Sequence, residues 1–401
     1  MAADILLVFF SFWLAIALLY HHGSQEIPLI GMTIVEMLGG YLMGRVLIRE
    51  AKAFKTFTKY LLLALAVMLP FAVIELLTGE NLWVRALATT FDTIVQPGAR
   101  TRIGLFRVTN SFEHPILFGL FCIVGFGNAL LVYTHAKTRR FWLGALAGGM
   151  AFMSLSSGPI LGIAVQVGLL VWARLTGGKW VLLFILLLIP YVIVDMLSNR
   201  TPVTILFNYL TFDPRTAWGR LLIWDFGVAA IKSSPIFGIG LNEWERPLWL
   251  GPSVDNFWLL IAMRYGLPGI VSLGGAVCLI FIQVARATLP SNLLRQYRMG
   301  YIVSLIGLIF TLCTVHAWGN MSTFIMLYFG AGVFFFTTAQ ADGPEIEASL
   351  DQNVATRAKR PHNREESPYM PNPTNDPHQS SEPENTGRPQ TAYTRFGGNK
   401  L

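Results

Sequence analysis

The sequence predicts an all-α fold, a polytopic transmembrane helical bundle of about ten spans, and three observations support it. Hydrophobic residues make up 53% of the 401 residues and charged residues only 13%, whereas soluble domains carry about 25% charged residues. Apolar segments close to the length that crosses a hydrocarbon core recur along the chain. Lysine and arginine collect in alternate short loops between these segments, which is typical of a multi-pass membrane protein.

Ten apolar segments are the candidate spans. The segment at the N-terminus has no basic residue before it and no small-residue cleavage site after it, so we expect a retained helix rather than a signal peptide. The turn signal at 156–159 separates the fifth segment from the sixth, and either two full spans or one re-entrant hairpin fits it. The candidate spans are 3–20, 27–48, 59–77, 114–133, 141–156, 158–174, 179–197, 256–285, 299–317 and 321–339.

The basic residues of the short loops predict the orientation. With the N-terminus in the cytoplasm, the inward loops carry thirteen lysines and arginines, and the short outward loops carry none. Positively charged loops stay in the cytoplasm, so we expect both termini there. After Gln340 the chain becomes polar and rich in proline, which predicts a transmembrane domain 1–340 and a disordered cytoplasmic tail 341–401.

Two outward loops, 78–113 and 198–255, are long and rich in arginine. Eight of their nine basic residues are arginine. Arginine presents an always-charged fork that binds phosphate through two hydrogen bonds. These loops therefore suit an anionic substrate held at the membrane, such as a polyprenyl pyrophosphate, and ordinary solvated charge with surface ion pairs is the alternative.

The second long loop is predicted to contain a surface helix. Residues 217–233 carry apolar side chains at helical spacing, which places Arg220, Trp224 and Val228 on one stripe. The segment 234–240 then breaks the helix and turns the chain. The tryptophans of this loop suit either stacking on sugar rings or the interfacial belt of a membrane protein.

Several strings in this part of the chain, roughly residues 95–275, resemble the O-antigen ligase and polymerase family. These relatives are inner-membrane glycosyltransferases with ten or more helices and a large periplasmic loop. The strings that carry the resemblance are Arg220-Leu-Leu-Ile-Trp224, Pro235-Ile-Phe-Gly238-Ile-Gly240, Asp255-Asn256 followed by Gly266-Leu-Pro-Gly269, and, upstream, Arg102-Ile-Gly-Leu-Phe, His114-Pro115-Ile-Leu-Phe-Gly119 and Ser154-Leu-Ser-Ser-Gly158-Pro159.

The resemblance implies an inverting glycosyltransferase of the bacterial inner membrane. It would polymerise undecaprenyl-pyrophosphate-linked repeat units of an O-antigen or exopolysaccharide at the periplasmic face of domain 1–340, without metal or other cofactor. The implied partners are the lipid-linked oligosaccharide, membrane lipids, a chain-length regulator and other polysaccharide assembly proteins, with no nucleic acid. The alternatives are a ligase that transfers glycan to lipid A core or protein, a transporter of lipid-linked glycans, and an inactive scaffold.

Three residues are the catalytic candidates. We expect Arg220 to contact the pyrophosphate and stabilise the charge that develops there. Many members of the family carry histidine where this chain has Asp255, so Asp255 is either a general base or the N-cap of the next helix. Arg264 lies two turns into that apolar helix, where a charge is costly, and is either functional or part of an ion pair.

Five further residues are the candidates for substrate binding. Arg215 is the second choice for the pyrophosphate contact, and His114, at the entrance of a span, is either a ligand or a helix cap. No metal-ligand cluster is expected from the spacing of His, Cys, Asp and Glu. The five substrate-binding candidates are Arg215, Arg102, His114, Asn256 and Trp224.

Overall fold

The computed structural model describes residues 1–89, 100–197 and 214–337, with the side chains of the last range from residue 218 onward. The predicted tail 341–401, the side chain of Arg215 and parts of both long loops lie outside the described residues. The described part consists of helices and one two-stranded sheet. The predicted class, an all-α polytopic helical protein, is confirmed.

Thirteen α-helices occur in the described residues. A 3-10 turn, Gly23–Glu26, leads into α2, and a π-helical turn, Val35–Gly39, joins α2 to α3. The short strands β1 (Thr101–Arg102) and β2 (Leu105–Phe106) form an antiparallel hairpin. The helices are α1 Ala2–His22, α2 Ile27–Ile34, α3 Gly40–Leu47, α4 Ala51–Thr78, α5 Leu82–Ala88, α6 Pro115–Val132, α7 Lys137–Met153, α8 Ser157–Thr176, α9 Trp180–Leu197, α10 Pro214–Ser233, α11 Phe257–Arg286, α12 Asn292–Leu312 and α13 Asn320–Ala331.

Seven helical segments among the described residues are long and apolar enough to cross a membrane. The first of them contains two of the ten predicted spans. Two other predicted spans correspond to α7, which has only 17 residues, and to α12, which carries Arg295 and Arg298 near its start. The seven segments are Ala2–Leu47, Ala51–Thr78, Pro115–Val132, Ser157–Thr176, Trp180–Leu197, Phe257–Arg286 and Asn320–Thr337.

The first apolar segment folds back on itself. The Tyr41 hydroxyl of α3 donates to Asp4 Oδ1 in the first turn of α1 at 2.7 Å, and Arg45 forms an ion pair with the same carboxylate. The start of α1 and the end of α3 therefore lie side by side. Helix α1 and the α2–α3 pair run antiparallel. The carboxylate also suits the N-terminus of α1, where the helix dipole favours negative charge.

Helix α6 lies at the centre of the bundle, and most of its residues are buried. Helix α7 packs antiparallel along it and places Gly144 against Leu130, whereas α8 runs parallel and places Gln166 against Gly127. Small residues at these positions let the backbones approach closely, as in other membrane bundles. Both α7 and α8 extend along α6, so residues 141–174 form two separate helices rather than one short hairpin.

The predicted helix at 217–233 is present as α10, which begins at Pro214. It packs on α11 through Ile223 and Gly227, which lie against the cluster of Leu259 and Met263. Trp224 faces away, with about half of its surface exposed. The packing fixes α10 against the first turns of α11 and so places the Arg220 side chain at the end of the bundle.

Candidate functional site

A cavity of about 380 Å³ lies at the end of the bundle where α6, α8 and α11 begin. Its described lining comes from the β1–β2 hairpin, the helix starts, α10 and the loop after α12. Four of the predicted site residues, Arg102, His114, Arg220 and Asp255, meet here although they are far apart in the sequence. The charged and aromatic side chains that line the cavity are Arg100, Arg102, Arg107, His114, Arg220, Asp255, His316 and Trp318.

Two arginines of the β-hairpin hold the turn between α7 and α8. Arg102 Nη1 donates to the Leu155 carbonyl at 3.0 Å, and Arg107 Nη2 donates to Ser156 Oγ at 2.8 Å. Burial, together with the charges of Arg102 and Arg100, lowers the pKa of Arg107 to about 10. Arg107 therefore remains charged at neutral pH, and the hairpin presents Arg100, Arg102 and Arg107 as one cationic wall of the cavity.

Arg220 lines the same cavity from α10 and forms no salt bridge with a described residue. Its Nε is buried and has no hydrogen-bond partner among the described residues. Burial lowers the pKa of Arg220, the Asp255 carboxylate opposes that shift and Arg102 adds to it, and no salt bridge within 4 Å joins Arg220 to Asp255. A buried donor without an acceptor costs free energy, and an anionic ligand would supply an acceptor for Nε.

Asp255 and Asn256 have different roles in the structure. Asn256 Oδ1 accepts from the Leu259 amide at 3.0 Å and is the N-cap of α11. The N-cap role considered for Asp255 therefore belongs to its neighbour. Asp255 lines the cavity, and its Oδ1 accepts from Ser253 Oγ at 3.1 Å. The carboxylate retains lone pairs for a further donor such as a substrate hydroxyl.

His114 is both a helix cap and part of the cavity. Its Nδ1 lies 3.2 Å from the Ile116 amide, in the position of a helix cap. Nε2 lies 3.1 Å from Arg100 Nη1. Burial, reinforced by the charges of Arg107, Arg100 and Arg102, lowers the pKa of His114 to about 4, so the ring is neutral. A neutral imidazole has one acceptor nitrogen, so the ring accepts from only one of these two donors.

His316 and Trp318, in the loop between α12 and α13, were not among the predicted site residues. His316 lines the cavity, and its Nδ1 is buried without a hydrogen-bond partner among the described residues. Burial and the charge of Arg264 lower its pKa to about 4. The string His316-Ala-Trp-Gly-Asn320 is the sequence signal for them, but this short loop has no arginine, and arginine content therefore does not mark it.

Arg264 and Trp224 lie outside this cavity. Arg264 lines a smaller cavity of about 140 Å³ together with Trp244 and Arg246, and no salt bridge joins it to Asp255. Its backbone carbonyl accepts from the Gly240 amide at 3.1 Å. Its charge adds to burial in lowering the pKa of His316, which lines the main cavity.

The loop that carries the arginine hairpin is anchored by a buried carboxylate. Glu75, near the end of α4 and 5% exposed, accepts from the Thr109 amide, the Thr109 hydroxyl and the Asn110 amide at 2.9, 2.6 and 2.8 Å. Asn81 Nδ2 donates to the same group at 3.3 Å. Glu75 thus fixes residues 109 and 110 directly between the hairpin and His114.

We expect Glu75→Ala to destabilise the protein by about 3–5 kcal/mol, because it leaves several buried donors without an acceptor. Thermal unfolding in detergent measures this effect, and Glu80→Ala is the matched control because Glu80 makes an exposed salt bridge with Arg85. Exposed pairs of that kind contribute little to stability. Equal unfolding midpoints for the two variants would contradict the anchoring role.

The two cavity histidines predict an acid-sensitive fold. Both pKa values fall from the ordinary 6.5 to about 4. Between these values the unfolded chain binds more protons than the folded one, so the stability is fully present above pH 6.5 and is lost as the pH falls toward 4. We expect the double variant His114→Asn, His316→Gln to show a smaller drop in unfolding midpoint between pH 7 and 4.5 than the unaltered protein. An identical drop would show that other groups control the acid sensitivity.

The chemistry of the lining favours an anionic ligand. Four arginines face a single carboxylate, and both histidines are neutral. Arginine clusters of this kind recognise phosphate groups through paired hydrogen bonds. Among the described residues, no group of three or more His, Cys, Asp and Glu side chains is placed to hold a metal ion.

Helices that can cross a membrane, with a polar cavity at the end of their bundle, define a polytopic membrane protein. Residues 141–274, about a third of the chain, match the family model described as O-antigen ligase. This match includes Arg220, Asp255 and Arg264, and it confirms the resemblance to an O-antigen ligase or polymerase-like family that the sequence motifs indicate. The match supports a membrane enzyme that processes glycans.

Comparisons with other known proteins are less informative. No curated protein matches the chain. A solved structure titled "Structural coordination of polymerization and crosslinking by a peptidoglycan synthase complex" is similar at 16% identity and a TM-score of 0.39, covering 82% of this chain and 96% of the other. A likeness with so low a TM-score supports no conclusion about function.

Proposed function

We propose that the protein is an inverting glycosyltransferase that polymerises undecaprenyl-pyrophosphate-linked repeat units of an O-antigen or exopolysaccharide. The observation that carries this proposal is the cavity that Arg220, Asp255 and the arginines of the β-hairpin line together, in which Arg220 Nε has no partner among the described residues. A pyrophosphate fits the four guanidinium groups, and a sugar hydroxyl fits the carboxylate. The position of the cavity at the end of the bundle suits a substrate whose lipid tail stays in the bilayer.

The proposed step transfers the glycan in one displacement. The acceptor hydroxyl oxygen attacks the anomeric carbon from the side opposite the pyrophosphate, and the bond from that carbon to the phosphate oxygen breaks with its electron pair on the pyrophosphate. The hydroxyl proton passes to the Asp255 carboxylate. Because the leaving group gains negative charge as the bond breaks, the arginines stabilise the transition state more than the bound substrate.

The orientation of the protein is part of the proposal. The distribution of basic residues in the short loops supports a multi-pass protein of the inner membrane with both termini in the cytoplasm. The cavity then opens on the periplasmic side. No sugar nucleotide is needed there, because the lipid-linked oligosaccharide is itself the activated donor. A chain-length regulator and other polysaccharide assembly proteins are the proposed partners.

The second candidate function is a ligase, which is favoured by the description of the matching family model. A ligase would use the same donor and the same cationic cavity, and would differ in the acceptor, which would be lipid A core or a protein. The chemical step is unchanged, so the acceptor alone distinguishes the two functions. Analysis of the glycans that accumulate without the protein identifies the acceptor.

The test is complementation of a deletion strain, with the sizes of surface and lipid-linked glycans read by gel. A polymerase is supported when the deletion leaves single repeat units on the lipid carrier and the unaltered gene restores a ladder. Long polymer that persists on the carrier in the deletion strain overturns the polymerase and supports the ligase. Unchanged surface and lipid-linked glycans overturn both.

Asp255→Asn tests the proton acceptor in the same strain. The amide keeps the shape of the side chain but cannot take up a proton, so we expect a loss of about 10²- to 10⁴-fold in transfer rate. Asp255→Glu, which keeps the carboxylate, should retain more activity than Asp255→Asn. A ladder of normal length from Asp255→Asn, at normal protein level, would exclude Asp255 as the base.

A further inference from the structure

The arginine cavity has a second wall made of flat rings. The Trp318 ring lies 5.7 Å from the His316 ring and 5.9 Å from the His114 ring, measured between centroids. All three side chains line the cavity. The Phe257 ring stacks on His316 from the start of α11 at 6.5 Å, so the protein interior supports this wall from behind.

Trp318 is fixed in place by the residue next to His114. Its Nε1 donates to Glu113 Oε2 at 2.6 Å, a short hydrogen bond to a carboxylate. The indole has one polar atom, and this bond satisfies it. The rest of the ring is therefore an apolar plate held at a set orientation beside the cationic wall.

The rings next to Trp318 are also uncharged. His114 and His316 have pKa values of about 4 because of burial and the nearby arginines, so both are neutral at physiological pH. A neutral aromatic wall beside a cationic wall gives the cavity two distinct surfaces. Ligand sites are commonly built in this way, with apolar and aromatic lining plus a few polar groups that fix orientation.

We propose that Trp318 is the platform for the sugar ring next to the pyrophosphate, and that Glu113 is the residue that positions it. This inference rests on the proposed function. A pyranose has a face of C–H groups and an edge of hydroxyls, and the C–H face matches a rigid tryptophan plate, which offers a large contact area at low conformational cost. The substrate class is thus a pyranosyl pyrophosphate lipid, recognised by its phosphate and by its first sugar separately.

Two probes separate these contributions: undecaprenyl pyrophosphate, and the same lipid carrying one N-acetylglucosamine. Binding of each to the full-length protein in detergent is measured. We expect Trp318→Ala to weaken binding of the sugar-bearing probe about tenfold, and to leave binding of the sugar-free probe unchanged. Trp318→Phe, which keeps a ring, and Glu113→Gln, which keeps an acceptor for the indole, should lose less than Trp318→Ala.

Two control variants distinguish a failure of the proposed phosphate site from a failure of the proposed tryptophan platform. Arg220→Ala should weaken both probes equally, and unchanged binding of both by this variant would overturn the phosphate site of the proposed function while leaving the platform standing. Trp142→Ala changes a tryptophan that is 65% exposed on α7 and outside the cavity, and should alter neither affinity. Equal weakening of both probes by Trp318→Ala, or of neither, would overturn the platform. The sugar-free probe also reports whether each variant is folded.

Discussion

Arg220→Ala is expected to lower the transfer rate by about 10²- to 10³-fold, the usual cost of removing one donor that stabilises developing charge. The guanidinium faces the hairpin arginines, and its Nε has no partner among the described residues. Because the donor is already unpaired in the folded protein, its removal breaks no described hydrogen bond. We therefore expect the unfolding midpoint of Arg220→Ala to stay the same or to rise, which is typical of a residue retained for function.

The transfer rate is best measured with purified protein and lipid-linked repeat units. Thermal unfolding is measured with the same preparation. Arg220→Lys keeps the charge and loses the planar fork, so it should fall between the alanine variant and the unaltered protein. Arg85→Ala is the matched control, because Arg85 is exposed, pairs with Glu80 and lies outside the cavity. A lower midpoint together with an unchanged rate for Arg220→Ala would show a structural role instead.

The sequence could predict which loops carry the site but not how their residues assemble. Arg102, His114, Arg220 and Asp255 line one cavity because the starts of α6 and α11, the β-hairpin and α10 meet at the same end of the bundle. That meeting depends on helix packing, which periodicity does not reveal. Arginine content marks the long loops, whereas the short loop that carries Trp318 has no arginine and gives no such signal.

The helices themselves were predictable because a bilayer imposes a simple rule on length and apolarity. Each of the ten apolar segments overlaps one or more helices in the described residues, yet the bounds differ. Helix α4 begins at Ala51, whereas the predicted span began at 59. Residues 51–58 are helical but include lysines, and hydropathy reports the membrane-buried part of a helix rather than its hydrogen-bonded ends.

Helix α11 contains a break at Gly266 that hydropathy does not predict. At Gly266 the backbone leaves the helical conformation, with φ 69° and ψ −171°, a region that only glycine adopts readily. The turn 235–240 docks at this break, where the Leu267 amide donates to the Pro235 carbonyl at 2.8 Å and the Ile239 amide to the Met263 carbonyl at 2.7 Å. The turn 235–240, which follows α10, is thus bound to α11 at this break. Helix α11 begins beside Asp255.

Gly266→Ala should therefore destabilise the protein by about 3 kcal/mol or more, since it combines backbone strain with a steric clash. A Cβ at this position would lie 2.1 Å from the Ile236 carbonyl oxygen, which is backbone and cannot rotate away. Gly274→Ala is the control in the same helix, because a Cβ there meets no atom within 4 Å. Alanine is the better helix former by about 1 kcal/mol, so Gly274→Ala should be neutral or stabilising.

The unfolding midpoints of the two variants are measured in one detergent. We expect a large decrease for Gly266→Ala and either no change or an increase for Gly274→Ala. Similar shifts would mean that the turn 235–240 is not held on α11 by these contacts.

The transfer rate of the two variants supplies a second comparison. If this docking holds α10 in place, Gly266→Ala lowers the transfer rate even at temperatures where the protein stays folded, because Arg220 is then displaced from the hairpin arginines. A misplacement of about 1 Å costs about 10²-fold in rate, so the activity should respond before the fold is lost.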